Sequence, residues 1–285
     1  MQARVLLLFC CVVLAGRSFT ADADWKPLFN GKDLSGWDTF LGRANPGETN
    51  YGLNLDPEKV FSVKQEDGGP VIHVSGKYWG GIITTQEFAN YHLRLEFKWG
   101  EKTWPPRVNA PRDSGVCYHC VGPHAADPVY PWPRSFEFNI AEHDVGEFWS
   151  VDYTIADAEV VALGDSPEEL AAFKAWCERN GASGPKVKFQ KSGKKQTFRG
   201  GGFMPAGDFE KPGWNTLDLY AVGDRSVHVV NGKVALVLTG LRQKVDGKEV
   251  PLTKGRIEFQ SESAEVFYRN ILLQPITEIP PELLQ

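Results

Sequence analysis

The sequence predicts an all-β protein, a sandwich of two antiparallel sheets with one short helix carried in an insertion. Three observations lead there. Residues 91–99 alternate without a break: Tyr91, Leu93, Leu95, Phe97 and Trp99 are apolar, while His92, Arg94, Glu96 and Lys98 are polar. That two-residue period belongs to a strand with one face buried. The chain of 285 residues holds 29 Gly, 19 Pro, 17 Phe, 9 Trp and 8 Tyr, a turn-rich and aromatic-rich composition suited to hairpins. Its apolar runs also follow one another without the crossover helices that a parallel sheet needs.

The elements follow in order. Residues 1–23 read as a secretory signal: Arg4 supplies the positive end, 5–15 is uncharged and apolar, and Ala21-Asp22-Ala23 is an A-x-A cleavage site. The run is too short to span a bilayer as a helix, so a secreted or periplasmic protein without membrane insertion is expected. One domain is expected over 24–277, with 278–285 as a tail along the surface. Strands are expected near 71–74, 81–85, 91–99, 115–120, 135–140, 148–156, 214–222, 226–230, 233–239, 256–260 and 264–273. Asn231-Gly232 stands between two β-rich runs, a type I′ hairpin signal.

The helix has both of its boundaries marked. Ser166-Pro-Glu-Glu169 is a capping box with proline at the first helical position, and Asn180-Gly181 closes the run. Leu170, Phe173, Trp176 and Cys177 form its expected apolar stripe. The surrounding block, about 157–212, reads as an insertion packed on one edge of the sandwich, with lysine-rich 186–195 as a solvated loop and Gly200-Gly-Gly202 close behind.

Past the leader three cysteines remain, Cys117, Cys120 and Cys177, which allow at most one internal disulfide. Cys117-Tyr-His-Cys120 has the form of half a zinc site with no second pair to complete it, so small buried strand residues are the expectation. With 31 basic and 36 acidic residues, no basic footprint for nucleic acid is present.

The stretch 135–149 is where chemistry is expected. It opens as a strand with Phe136, Phe138 and Ile140 on one face and Glu137 and Asn139 on the other. Glu142, His143, Asp144 and Glu147 follow within a few residues. Carboxylates aimed together off one sheet face are what glycosidic-bond chemistry requires. On the preceding segment Asp113, Gly115, Cys117 and His119 alternate onto one face, so His119 and Glu137 are expected to meet in a cleft.

A resemblance adds to this reading. Leu28-Phe-Asn-Gly-Lys-Asp-Leu-Ser-Gly-Trp37 resembles the opening signature of the 3-keto-disaccharide hydrolase domain family. Gly80-Gly-Ile-Ile-Thr-Thr85, Asp113-Ser-Gly-Val116, Trp214-Asn-Thr216, Val230-Asn-Gly232 and Phe267-Tyr-Arg-Asn-Ile271 follow in the family's order. The resemblance implies a concanavalin A-like jelly roll, the architecture of legume lectins and laminarinase-type glucanases, and a carbohydrate ligand. It departs from the family where Tyr118 is followed by His119 in place of an arginine, and where Asn139 replaces a glutamine.

Three functions follow as expectations. In a 3-keto-glycoside the ketone acidifies the C2–H; a base removes that proton, the C1 substituent leaves, and water adds back. Glu137 or Glu142 is the expected base and His119 the acid or enolate donor. Arg112, Asp113, Tyr118 and Asn139 are expected to bind substrate. The second is a retaining β-glucanase, because Glu137-x-Asn139-x-x-Glu142 has that strand's spacing, although Asn139 stands where those enzymes carry Asp. The third is a lectin-like binding module without catalysis. Trp79 and Trp132, in Gly/Pro-rich loops, are the expected aromatic platforms for a sugar ring, with Trp104 and Trp149 as further candidates. No resident metal is required; calcium or magnesium on His143 and Asp144 is the alternative, given their oxygen-rich neighbours.

Overall fold

The computed structural model describes residues 25–43, 48–125, 130–180 and 185–284; the expected leader, 1–23, lies outside them. In chain order the first strands are β1 (Lys26–Pro27), β2 (Trp37–Leu41), β3 (Gly52–Leu53), β4 (Phe61–Glu66), β5 (Gly69–Val74) and β6 (Gly80–Thr84). Then come β7 (Tyr91–Thr103), β8 (Gly115–Val121), β9 (Arg134–Asn139), β10 (Phe148–Ala162), helix α1 (Pro167–Asn180), β11 (Val187–Phe189) and β12 (Lys194–Phe203). The chain continues with β13 (Asn215–Val222), β14 (Arg225–Val230), β15 (Lys233–Val245), β16 (Lys248–Pro251), β17 (Arg256–Ser261), β18 (Ala264–Pro275) and helix α2 (Pro281–Leu284).

These strands make a jelly-roll sandwich. The first sheet runs β4-β5-β18-β7-β13-β14, with β1 beside β18. The second runs β3-β2-β6-β17-β8-β9-β10-β12. Strand β15 joins them: its first half pairs with β14, and its second half with β10 and β16. The alternation read along 91–99 becomes packing here. Leu93, Leu95 and Phe97 meet Val116, Phe136, Phe138, Phe148 and Phe259 of the second sheet in one core cluster. Each such side chain contributes roughly 1.5–3 kcal/mol on burial. Asn231 and Gly232 both take positive φ, 50° and 78°, as a type I′ turn requires.

Ser166 caps the helix: the Glu169 amide donates to Ser166 Oγ at 3.2 Å, and Glu169 reaches back to the hydroxyl, which donates to its Oε2 at 3.1 Å. The apolar stripe is narrower than expected, because Trp176 is fully buried whereas Leu170 stays 44% exposed. The insertion also differs from a loop-and-helix block. Its lysine-rich stretch supplies β11 and β12, both paired to β10, so the insertion widens the second sheet. Lysines hid these strands: Lys188 and Lys195 point outward while Val187, Phe189 and Phe198 turn in. Cys117, Cys120 and Cys177 are free thiols, and the first two pack against Ile83 as buried strand residues.

Candidate active site

The outer face of the second sheet carries a cross-strand row, in register, of Ile83, Glu258, Cys117, Glu137, Trp149 and Gly202. Asn139 pairs with Gly115 in the next row. Period-2 alternation puts these residues outside while Phe136, Phe138 and Val116 enter the core. Gly115 is a structural requirement here. A Cβ on it would lie 2.3 Å from Glu137 Oε1 and 2.4 Å from Gln260 Oε1, so only glycine lets the two side chains flank it.

Above this row lies a cavity of about 580 Å³, lined by Arg107, Asp113, Glu137, Asn139 and Glu262 among others. Arg107 bridges the carboxylates of Asp113 and Glu262, the latter at 3.1 Å. Burial pushes the Glu137 carboxyl well up from its ordinary value, and the nearby charges of Glu262 and Asp113 add to the shift. Burial raises Asp113 and Glu262 as well, but at both the Arg107 guanidinium works against the rise. All three carboxyls are thus pushed toward the neutral form by burial, and Arg107 opposes that push at Asp113 and Glu262. Glu147 lies behind Asn139 and is pushed up to about 8 by burial, then by the charge of Asp144. It accepts from Trp149 Nε1 at 2.6 Å, Trp176 Nε1 at 2.7 Å and the Asn139 amide.

One wall of the cavity is aromatic. Trp79, Tyr130 and Trp132 lie with ring centroids 5.5–6.2 Å apart and planes within 7–25° of one another. The wall is anchored from behind, Trp132 Nε1 donating to the Gly80 carbonyl at 2.7 Å and Trp79 Nε1 to Ser263 Oγ at 2.7 Å. Tyr130 remains 46% exposed at its outer end. An apolar ring face beside carboxyl groups is the composition that grips a sugar, whose C–H face is apolar and whose edge is polar.

Residues 24–274 match the 3-keto-alpha-glucoside-1,2-lyase-like domain. The chain belongs to that family. Among solved structures it resembles a candidate glycosyl hydrolase of Parabacteroides distasonis, at 17% identity and TM-score 0.47, covering 88% of this chain and 94% of the other. It also resembles the carbohydrate-binding module CBM66 of Bacillus subtilis, at 10% identity and TM-score 0.42, covering 84% and 95%. The GH16 protein of a Bacteroides ovatus mixed-linkage glucan PUL follows, at 9% identity and TM-score 0.44, covering 88% and 98%. A comparison with curated proteins returned no match.

In this member of the lyase-like family the structure unites Asp113, Glu137, Asn139, Trp79, Trp132 and Trp149 around the cavity, and places His119, Tyr118, Glu142, Arg112, His143 and Asp144 away from it. His119 is displaced by a β-bulge. The register of β8 slips against both neighbours and His119 takes φ 52°, which turns its ring into the core against Tyr91, Tyr118 and Phe136. It is fully buried, without a hydrogen-bond partner, and burial lowers its pKa to about 3. Tyr118 faces the core as well, its hydroxyl 2.7 Å from Ser226 Oγ and 3.2 Å from His228 Nε2. Neither residue can touch a ligand in the cavity.

Glu142 and Arg112 pair with each other and line a second, separate cavity with Trp99 and Glu210. The Glu137/Glu142 pair expected to flank one bond is therefore not assembled. His143 is exposed beside Asp208 at 3.6 Å, while Asp144 is buried. Among the described residues no group of three or more His, Cys, Asp or Glu is gathered for a cation, and Arg107 supplies the positive charge between Asp113 and Glu262. The sequence reading did not point to Arg107, Glu262, Tyr130 or Tyr153. Glu262 lies 155 positions from Arg107 in the chain, and no local pattern links them.

Proposed function

We propose that this chain is a secreted carbohydrate-active enzyme that cleaves the glycosidic bond of 3-keto-glycosides by general acid/base chemistry in the Glu137 cavity. One observation carries the reading: a proton-holding Glu137 lies beside arginine-paired Asp113 and Glu262, under an aromatic wall. Membership of the 3-keto-alpha-glucoside-1,2-lyase-like family supports the choice of substrate. The sugar ring lies against Trp79 and Trp132. The Asp113 carboxylate takes the C2 proton, and that electron pair forms the C1–C2 double bond as the C1–O bond breaks. Glu137 gives its proton to the departing oxygen, which leaves as an alcohol. Water then adds its oxygen at C1 and a proton at C2, completing net hydrolysis. A neutral acid beside an ionised base is the pairing such a step needs.

The test is to incubate purified protein with matched methyl glucosides and methyl 3-keto-glucosides. Turnover of the keto sugar alone supports the reading. Cleavage of the unoxidised glucoside would favour the glucanase. Binding of both without cleavage would favour the lectin-like module, for which the exposed end of the aromatic wall at Tyr130 is the supporting feature.

A further inference from the structure

The triple glycine of the insertion has no role in the chemistry above, yet it borders the same cavity. Gly202 lies in register with Trp149, and a Cβ there would come within 2.9 Å of the indole ring, so glycine lets Trp149 lie flat across β12. Trp149 is backed by Trp176 of α1, rings 6.4 Å apart and 13° from parallel, and Glu147 accepts from both indole N–H groups. Gly200 and Gly201 take φ of 79° and 70°, and a Cβ on either would meet nothing within 4 Å. They form an open shelf facing the cavity.

Beside that shelf the backbone is strained. Asp152 and Tyr153 are consecutive residues at positive φ, 50° and 59°, in the bulge of β10. An aromatic residue in the left-handed region is a costly conformation that persists only where the surroundings enforce it. Here Arg134 Nε donates to the carbonyl and carboxylate of Asp152 at 3.2 and 2.9 Å, and Ser150 Oγ donates to the Thr154 carbonyl at 2.6 Å. The result is a Tyr153 ring held 70% exposed at the cavity rim. No core packing accounts for that placement.

We infer that Tyr153, Trp149 and the Gly200–Gly201 shelf form a leaving-group subsite for a flat apolar-faced aglycone, a pyranose or an aryl ring. The inference rests on the function proposed above. Glu262 lies near the Trp79 wall, because Trp79 is hydrogen-bonded to its neighbour Ser263, whereas Glu137 stands beside Trp149 in the cross-strand row, between the two sides. The reacting sugar accordingly occupies the Trp79/Trp132 side and the departing group extends toward Tyr153. The insertion, its helix included, then sets which aglycone is accepted rather than which bond is broken.

The experiment compares kcat/KM for 3-keto-glucosides with methyl, p-nitrophenyl and glucosyl aglycones in the wild type, Tyr153→Ala and Gly201→Asn. Asparagine tolerates the left-handed backbone while filling the shelf. In both variants the preference for glucosyl or aryl over methyl should fall roughly tenfold, the size of one lost stacking contact. Loss confined to one bulky series tells which ring the subsite takes. An unchanged preference in both variants, or an equal loss for all aglycones, overturns the subsite. If the wild type turns over nothing, the proposed reaction fails, and the subsite is judged by calorimetry. Disaccharide affinity unchanged by Tyr153→Ala, or no disaccharide bound by the wild type, overturns it.

Discussion

His119→Phe is the substitution that most sharply separates a core histidine from a catalytic one. The ring is fully buried among Tyr91, Tyr118 and Phe136, and neither nitrogen has a partner. Phenylalanine keeps the shape and removes two orphaned polar atoms, a gain of roughly 1–3 kcal/mol at neutral pH. A second effect depends on pH. The folded-state pKa is lowered to about 3, so the stability linked to His119 is complete above the unfolded value, about 6.5, and is lost as pH falls from there toward 3. At pH 5 the wild type has therefore given up about 2 kcal/mol that the variant keeps. Urea unfolding at pH 7.5 and pH 5 measures both. The advantage of His119→Phe should be about 2 kcal/mol larger at pH 5, with His228, also near 3, contributing equally to both proteins. An equal advantage at the two pH values, or loss of turnover in a folded variant, would refute the placement of His119 in the core.

Other consequences follow from the same geometry. Glu137→Gln should lower kcat by at least about a hundredfold while calorimetry still detects substrate binding, because the amide cannot deliver the proton. Glu147 is raised to about 8, so its contribution to stability is complete below about 4.5 and is lost as pH rises through 8. Glu147→Gln should flatten that alkaline limb, as denaturant midpoints at pH 6 and pH 9 will show. Glu142→Gln breaks the half-buried pair with Arg112 and should cost about 1 kcal/mol or less in a melting experiment. Since both residues lie in the other cavity, the variant should retain kcat/KM.

The strands were legible wherever one face is apolar without interruption. The strand read over 91–99 extends as β7 to Thr103, although its alternation stops at Trp99, and the strand read over 135–140 runs through Asn139. Where edge strands carry charge, as β12 does with Lys194, Lys195 and Arg199, polarity concealed them, and only pairing with β10 makes them strands. Half of the site was readable for the same reason: Asp113, Glu137 and Asn139 follow from alternation. His119 was misplaced because one extra residue in β8 reverses the face of the residues after it, and nothing local announces the bulge. Glu142 was misplaced because β9 ends at Asn139 and the chain turns away toward Arg112. Arg107 and Glu262 reach the cavity from distant segments, so only tertiary structure brings them to Glu137.

Solvent deuterium tests the central claim most directly. With a 3-keto-glucoside in D2O, proton removal at C2 followed by addition of water predicts a released 3-keto-glucose that carries deuterium at C2. In Glu137→Gln both release and labelling should be lost together. A released sugar that keeps its original hydrogen at C2 would contradict the account, because the bond would then have been broken at C1 without removal of the C2 proton.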